Sequence, residues 1–445
     1  MSNLSRRSFI SKSAIAAVGA GVAAKAVTAP AEEKKVSAND KISIALIGCG
    51  GQGRTDLADF LRVPGIECLA VCDVDQKALK RSSKMVEDKQ GKAPDTYGDF
   101  RQVIDRKDID VVVIGTPDHW HALPTIMACE AGKDVYVEKP LALSIHEGRV
   151  MVNAARKNNR VVQMGTQQRS AGHFRDAVDF VKSGQLGKIR LVKCWAYLDW
   201  KGELPPEPDE EVPEGVDYDM WLGPAPKRPF NWLRFHFNFR WFWDYSGGLM
   251  TDWGAHMIDI ANMGMDTTAP KSAMSLGGKL GYPEDAMETP DTQQAILEYD
   301  GFNLIWEHAL GIGRGPWDRE HGIAFHGNNG ILVVDRNGWE VFAETNAVKK
   351  DREYQMKPVP HRHASEDFHL AHVKNFVDCV RSREKPYSDV EIGHNSMKAC
   401  HLANIAVRMG RKIVWNNDKE EIAGDAEAQK LTSRTYREPW KLPEI

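Results

Sequence analysis

Between residues 41 and 137, apolar side chains come in short, mostly apolar runs separated by stretches with helical spacing. The runs cover 41–47, 66–72, 109–115 and 134–137, and helical spacing follows at 54–61 and 122–131. Ile109-Asp110-Val111-Val112-Val113-Ile114-Gly115 is apolar at nearly every position, as a parallel strand covered on both faces requires. Strand alternating with helix predicts an α/β Rossmann domain, a doubly wound parallel sheet over 41–163 that gathers ligands at the carboxyl ends of its strands.

Beyond residue 291 the pattern changes to strand-like runs at 292–299, 303–308, 322–326, 330–334 and 339–343. Asp300-Gly301, Asn328-Asn329-Gly330 and Asn337-Gly338 separate them, and such dipeptides are hairpin turns. Helical spacing returns at 366–383 and 395–409, with Gly410 as a stop. The expectation for 164–415 is an α+β catalytic domain with an open, mostly antiparallel sheet. Residues 205–213 read as an acidic, proline-bearing loop, and 416–445 as a C-terminal tail, extended and polar from about 418.

Composition narrows this picture. A chain of 445 residues favours two domains over one core, and 42% apolar with 27% charged residues is an ordinary globular balance. The net charge of -4, without a long block of one sign, leaves no electrostatic footprint for nucleic acid. Residues 1–40 read as an address: Ser5-Arg6-Arg7-Ser8-Phe9-Ile10 is a twin-arginine pattern followed by an apolar stretch over 14–24. That stretch is well short of the roughly 20 residues of a spanning helix, so a signal peptide is expected and no stable membrane anchor. Cleavage after Ala26 fits the small-x-small run Ala24-Lys25-Ala26. The expected location is the periplasm, with the twin-arginine export machinery as a partner. Seven cysteines without a Cys-x-x-Cys pair read as buried thiols. A route that exports proteins already folded in the cytoplasm reconciles them with export.

The first run ends in Gly48-Cys49-Gly50-Gly51-Gln52-Gly53 and opens a helix. In that context Gly48 permits the tight turn, Gly50 lets the backbone approach a pyrophosphate, and Gly53 allows close helix–strand packing. The second run stops at Asp73, where a carboxylate accepts the two ribose hydroxyl protons and repels a 2'-phosphate. NAD is therefore expected over NADP. The third run closes on Thr116-Pro117-Asp118-His119-Trp120-His121, and the fourth on Glu138-Lys139-Pro140.

Taken together, Gly48-x-Gly50-x-x-Gly53, Thr116-Pro117 with His121, Ala131-Gly132-Lys133 leading to Glu138-Lys139-Pro140, and Asp252-x-x-x-His256 resemble the glucose-fructose oxidoreductase, inositol dehydrogenase and MocA family over about residues 41–415. The resemblance implies a nicotinamide cofactor, a sugar-like alcohol or ketone as substrate, and an antiparallel-sheet second domain. It also implies cofactor contacts from Thr116, Pro117, His121, Glu138 and Lys139, beside Gly48, Gly50, Gly51, Gln52, Gly53 and Asp73. Lys139, Asp252 and His256 would form the polar catalytic group.

The residues around Asp252 carry a reading of their own. Helical spacing runs through 252–259 with a cap at Thr251 or Asp252, so Asp252 and His256 share a face. Oxidising a secondary alcohol needs a base for the hydroxyl proton while hydride leaves, and an imidazole suits that task. A lysine nearby stabilises the developing oxyanion, and a carboxylate orients its neighbours. The plainer alternative is a capping aspartate beside a core histidine.

Seven of the thirteen tryptophans fall between residues 194 and 253, where rings could stack on a sugar or simply pack a core. Arg169, Arg240 and Trp241 are the substrate-contact candidates, since polar groups beside rings would fix a sugar's hydroxyls. His119-Trp120-His121 and His361-Arg362-His363 lack carboxylates or thiolates at ligand spacing, so no metal is expected. A broad sheet in the second domain often serves association, which makes a homo-oligomer an expectation to test.

Export offers no soluble pool to replace spent cofactor, so the expected chemistry is hydride transfer between a retained nicotinamide and a sugar, glycoside or polyol. One alternative is redox-neutral glycoside cleavage or epimerisation through a transient keto-sugar. Another is a sugar-binding module that keeps NAD as a structural element.

Overall fold

The computed structural model describes residues 41–346, 348 and 353–445, so the twin-arginine segment lies outside the described residues. The first half builds a six-stranded parallel sheet from β1 (Ile42–Ile47), β2 (Ile66–Cys72), β3 (Asp95–Tyr97), β4 (Val111–Ile114), β5 (Asp134–Val137) and β6 (Val162–Met164). The order is β3-β2-β1-β4-β5-β6, with the reversal between β1 and β4. All four residues of β4 are buried, which is why its sequence can be wholly apolar. The edge strands β3 and β6 are three residues each, too short to show a period, and the sequence runs do not mark them.

The second half forms a ten-stranded sheet from β7 (Leu191–Leu198), β8 (Ser272–Gly278), β9 (Thr292–Tyr299), β10 (Phe302–Leu310), β11 (His321–His326), β12 (Gly330–Asp335), β13 (Gly338–Ala343), β14 (Val359–His363), β15 (Ile413–Asn416) and β16 (Glu421–Ile422). Only β7 and β10 pair in parallel; every other pairing is antiparallel. β9 alternates buried and exposed positions, as a strand with one wet face must. β7 at the centre breaks that alternation, and the sequence reading passes over it.

The later helices tie the halves together. Val373, Phe376 and Val377 of the helix Phe368–Ser382 join Leu57, Phe60 and Tyr136 in one buried cluster, so a distant segment covers one face of the parallel sheet. The helix Val390–Met409 packs against Ile145–Lys157 and begins one turn before the 395 expected, because Asp389 caps it through the Glu391 N–H. Among the described residues no helix is long and apolar enough to cross a membrane.

The last thirty residues correct the expectation of an extended tail. They contribute β16 and a short helix, Ala426–Gln429, and then run back across the first half. Arg434 and Tyr436 both bond Glu147, Arg437 pairs with Asp219 at 2.6 Å, and Trp440 lies edge-on to Trp120 at 4.8 Å. Four anchors at irregular spacing leave no period to read.

Candidate active site

A cleft of 580 Å³ opens at the carboxyl ends of the parallel strands. Its floor is the glycine turn. Gly48 has φ +92°, and a side chain there would strike Gly115 and Thr116. A methyl group on Gly53 would collide with the Gly48 carbonyl, so this glycine is what lets the helix sit against the strand. That helix, Gly51–Phe60, has no side-chain cap, and its first N–H groups are left for an anion at the cleft. Gly50 and Gly51 line the cleft with nothing within 4 Å of where a Cβ would stand.

Asp73 closes one end. Its oxygens accept the N–H groups of Cys49 (2.6 Å) and Asp75 (2.8 Å), and burial pushes its pKa up to about 6. Each carboxylate oxygen keeps a second lone pair for a ribose hydroxyl. Uncapped helix N–H groups, a side-chain-free floor and this acid together fit a dinucleotide.

Two predicted cofactor contacts are placed differently. The Gln52 amide donates to Asp56 (2.9 Å) and lies 3.2 Å from the His369 ring, which leaves its backbone N–H for the cleft. His121 is buried, its ring nitrogens against the carbonyls of Pro140 (2.6 Å) and Thr116 (2.9 Å). It ties the 116–121 loop to the 138–140 loop and leaves the lining to Thr116, Pro117, Glu138 and Lys139.

Lys139 and Asp252 meet across the halves. The ammonium is 2.6 Å from Asp252 Oδ1 and 3.1 Å from its carbonyl, and Arg240 Nε stands 3.4 Å from the same carboxylate. Burial alone would raise the Asp252 pKa, but the two cations outweigh it and hold it below the usual range. Asp252 caps nothing, contrary to expectation. It ends a helix that starts at Gly248, and His256 lies in the first turn of the next helix, Gly254–Met265, beyond Trp253. His256 is buried and Nδ1 has no partner. Burial, then Arg336 and Lys139, push its pKa well down, so it stands as neutral imidazole, the form that accepts a proton.

Of the substrate candidates, only Arg240 lines the cleft. Arg169 is locked 2.6 Å from buried Asp259, which also accepts from Ser396. Trp241 is fully buried and packs on Trp200. Most of the aromatic stretch is core: Tyr218, Trp221, Phe230, Phe235 and Tyr245 form one cluster, while Phe237 is exposed at the cleft.

The sequence reading also missed residues that belong to the site. Asp118 is buried in the cleft wall beside Ser246, and burial pushes its pKa up to about 7. Its place in the Thr116-Pro117-Asp118 run was a usable signal. His321, at the start of β11, and Arg336, in the turn after β12, both lie against Trp253 and act electrostatically on His256, and no local motif marks them. Of the two histidine pairs weighed as metal ligands, His119 bonds the Trp221 carbonyl and His121 those of Pro140 and Thr116, and His361 and His363 meet edge-on on β14. Among the described residues, Asp56, Glu138 and His369 do bring ligand atoms within 4.8 Å of one another. His369 already has partners there, with Asp59 at 2.6 Å on one ring nitrogen and Gln52 on the other.

Residues 42–166 match the profile described as oxidoreductase family, NAD-binding Rossmann fold, and 178–280 with 352–442 match the C-terminal alpha/beta domain of the same family. The chain belongs to the Gfo/Idh/MocA oxidoreductase family. Its nucleotide domain is the family's NAD-binding Rossmann fold, and the second profile runs on through the docked tail. Curated relatives include a glycosyl hydrolase family 109 protein of Saccharopolyspora erythraea, 31% identical over 217 residues, and one of Shewanella putrefaciens, 28% identical over 208. Those alignments cover 45% and 42% of this chain and 47% and 45% of the relatives, so the match spans about half of either. Solved structures share the fold at low identity. The WlbA dehydrogenase of Bordetella pertussis with NADH and UDP-GlcNAcA has TM-score 0.61 at 18% identity, covering 84% of this chain and 99% of that one. The aldose-aldose oxidoreductase of Caulobacter crescentus, complexed with glycerol, has TM-score 0.63 at 18% identity with the same coverage.

Proposed function

We propose that this Gfo/Idh/MocA oxidoreductase moves hydride between NAD and a hydroxyl-bearing carbon of a sugar, glycoside or polyol. The observation that carries this reading is the juxtaposition of Lys139, Asp252 and an unpartnered His256 beside a cleft that fits a dinucleotide. The helix N-terminus at Gly50 and Gly51 would hold the pyrophosphate and Asp73 the ribose, which favours NAD over NADP. Bound there, the nicotinamide supplies the hydride acceptor. His256 takes the hydroxyl proton, and its depressed pKa keeps it in the base form at neutral pH. Lys139 stabilises the oxygen as negative charge develops, and Asp252 fixes the ammonium in position.

A second reading has a specific observation behind it, because the curated relatives above carry the name of a glycosyl hydrolase family. In that scheme oxidation of a ring carbon acidifies the neighbouring C–H, loss of that proton expels the glycoside as an alcohol, water adds to the resulting double bond, and the hydride returns, with no net redox change. Adding sugars and glycosides to purified holoprotein and following absorbance at 340 nm tests the first step. Product analysis then separates a released ketone from a cleaved glycoside. Absence of any sugar-dependent reduction, in a protein shown by mass spectrometry to hold NAD, leaves the binding-module reading.

The twin-arginine pattern at Arg6-Arg7 supports export to the periplasm with cofactor already inside, and the seven free, buried cysteines suit folding in a reducing compartment. Exposed Met274 and Ile296, cross-strand partners on the wet face of the large sheet, support a homo-oligomer, which light scattering tests.

A further inference from the structure

On the side of the site away from the glycine turn, four polar side-chain atoms around one indole have no protein partner. Trp253 follows Asp252 directly, and its ring lies 4.6 Å from His321, 6.0 Å from His256 and 4.7 Å beneath the Arg336 guanidinium. Both ring nitrogens of His321, Nδ1 of His256 and Nε of Arg336 are buried and unsatisfied. Buried polar atoms in native proteins are nearly always paired, so a cluster of four needs a cause.

Arg336 shows what kind of cause. It sits in the turn between β12 and β13, and it makes no ion pair among the described residues. The acid beside it is committed elsewhere: Asp335 accepts the N–H groups of Asn337 (2.7 Å) and Gly338 (3.1 Å) and lies 3.2 Å from Arg319. Glu340 is likewise taken by Arg319. Asp252, the remaining carboxylate in electrostatic reach, is already bound by Lys139 and Arg240. Three cations thus share one carboxylate. A guanidinium held over an indole, mostly out of water and without a counterion, is costly unless something anionic arrives to pair with it. The cofactor's phosphates do not fill that role, because Arg336 does not line the dinucleotide cleft. Trp253, His321 and Arg336 are each partly exposed as residues, so the cluster lies close to the surface.

We propose that Trp253, His321 and Arg336 form a subsite for an anionic substituent, a carboxylate or a phosphate, carried by the sugar that reacts at His256. The proposal rests on the sugar-oxidoreductase reading and narrows its substrate class. Arg336 supplies the charge and a fork of N–H donors that matches a planar or tetrahedral oxyanion. His321 adds one donor and one acceptor, since burial lowers its pKa to about 3 and leaves it neutral. Trp253 gives the ring a flat apolar wall.

Calorimetric titration of the holoprotein with D-glucuronate, D-glucose 6-phosphate and D-glucose tests this directly. The expected result is that one of the two anionic sugars binds about tenfold or more tightly than glucose, the arm that wins identifying the anion. Arg336→Gln should erase that preference while the amount of bound NAD stays at the wild-type level, since Arg336 does not line the dinucleotide cleft, and Arg336→Lys should restore part of it. Equal binding of all three, no binding of either anion, or a preference that survives in Arg336→Gln overturns the proposal. If neither variant folds, the wild-type comparison decides alone. Absorbance at 340 nm separates this outcome from the parent reading. Anion-selective binding without any sugar-dependent reduction sinks the redox function and leaves the subsite. Reduction that ignores the anion and Arg336 does the reverse.

Discussion

The cofactor rim and the substrate wall meet at Lys139, yet they are assembled in opposite ways. The rim's floor and its acid fall between residues 48 and 73, in one strand–turn–helix–strand unit, and its free hydrogen-bonding groups are backbone N–H groups at a helix start. The wall draws Asp252, Trp253 and His256 from one segment, His321 from β11 and Arg336 from the turn after β12, and its free groups are side chains. Both regions leave polar atoms without protein partners where a ligand should supply them. A backbone cradle needs glycine at fixed spacing and so writes a motif. A side-chain wall needs only that the sheet bring distant residues together, and it writes none.

The largest expected effect separates the two regions cleanly. Replacing His256 with Ala removes the proposed base from the wall and touches nothing at the rim. Turnover should fall by about 10²–10⁴-fold while the amount of NAD released on denaturation stays at the wild-type level. Turnover close to wild type would mean that the proton goes elsewhere, with Asp118 the next group to test.

The converse change breaks the rim and spares the wall. In Gly53→Ala the new methyl meets the Gly48 carbonyl, a backbone atom that cannot swing aside. We expect a stability loss of about 1–3 kcal/mol in denaturant titration and loss of bound NAD. Tryptophan quenching by an anionic sugar should persist, since Trp253 and Arg336 lie in the other half. Retained cofactor with normal stability would show that the helix can back away from the strand.

Legibility in the sequence follows the same division. The parallel sheet announced itself because β4 is wholly buried and apolar and β1, β2 and β5 are mostly so, whereas the three-residue edges β3 and β6 stayed hidden. In the second sheet, β9 to β13 were readable as strand-like runs divided by Asn-Gly or Asp-Gly turns, while β7, whose alternation is broken by the buried Trp195, has no such turn beside it. At the site, Lys139, Asp252 and His256 were legible through a family pattern, and the structure places Lys139 in contact with Asp252. Arg169 and Trp241 were plausible by type and are core by position, because a buried Asp259 claims the one and Trp200 packs the other. His321 and Arg336 become significant only through the register of β11 and β12 against their neighbours.

Acid should act on the fold as a whole through buried imidazoles, of which His321 belongs to the wall. Burial lowers the pKa of His119, His321 and His372 to about 3 and of His308 and His401 to about 4. Each binds a proton more readily in the unfolded chain, near pH 6.5, than in the folded one. Their neutral burial thus supports the fold fully above that pH, and the support is lost as pH falls from about 6.5 towards 4. Thermal unfolding should show a Tm lower at pH 5 than at pH 7. His321→Gln should flatten the dependence, since that ring has no protein partner to lose. A Tm independent of pH across this range would show that water reaches these rings.

The smallest effect tests whether the rim is as self-contained as its motif suggests. Trp120 lines the cleft, and behind it Trp440 of the docked tail packs edge-on at 4.8 Å while also stacking on Phe100 at 6.2 Å. Aromatic pairs of this kind contribute about 0.5–1.5 kcal/mol beyond their buried area. Trp440→Ala should therefore lower stability by roughly 1 kcal/mol and weaken NAD retention about fivefold at most, with turnover per bound NAD unchanged because His256 and Lys139 keep their places. A larger loss of cofactor than of stability would show that a local motif works only when a segment more than three hundred residues away holds its wall. In that case the two regions differ in how they are written in the sequence, and not in how they are held.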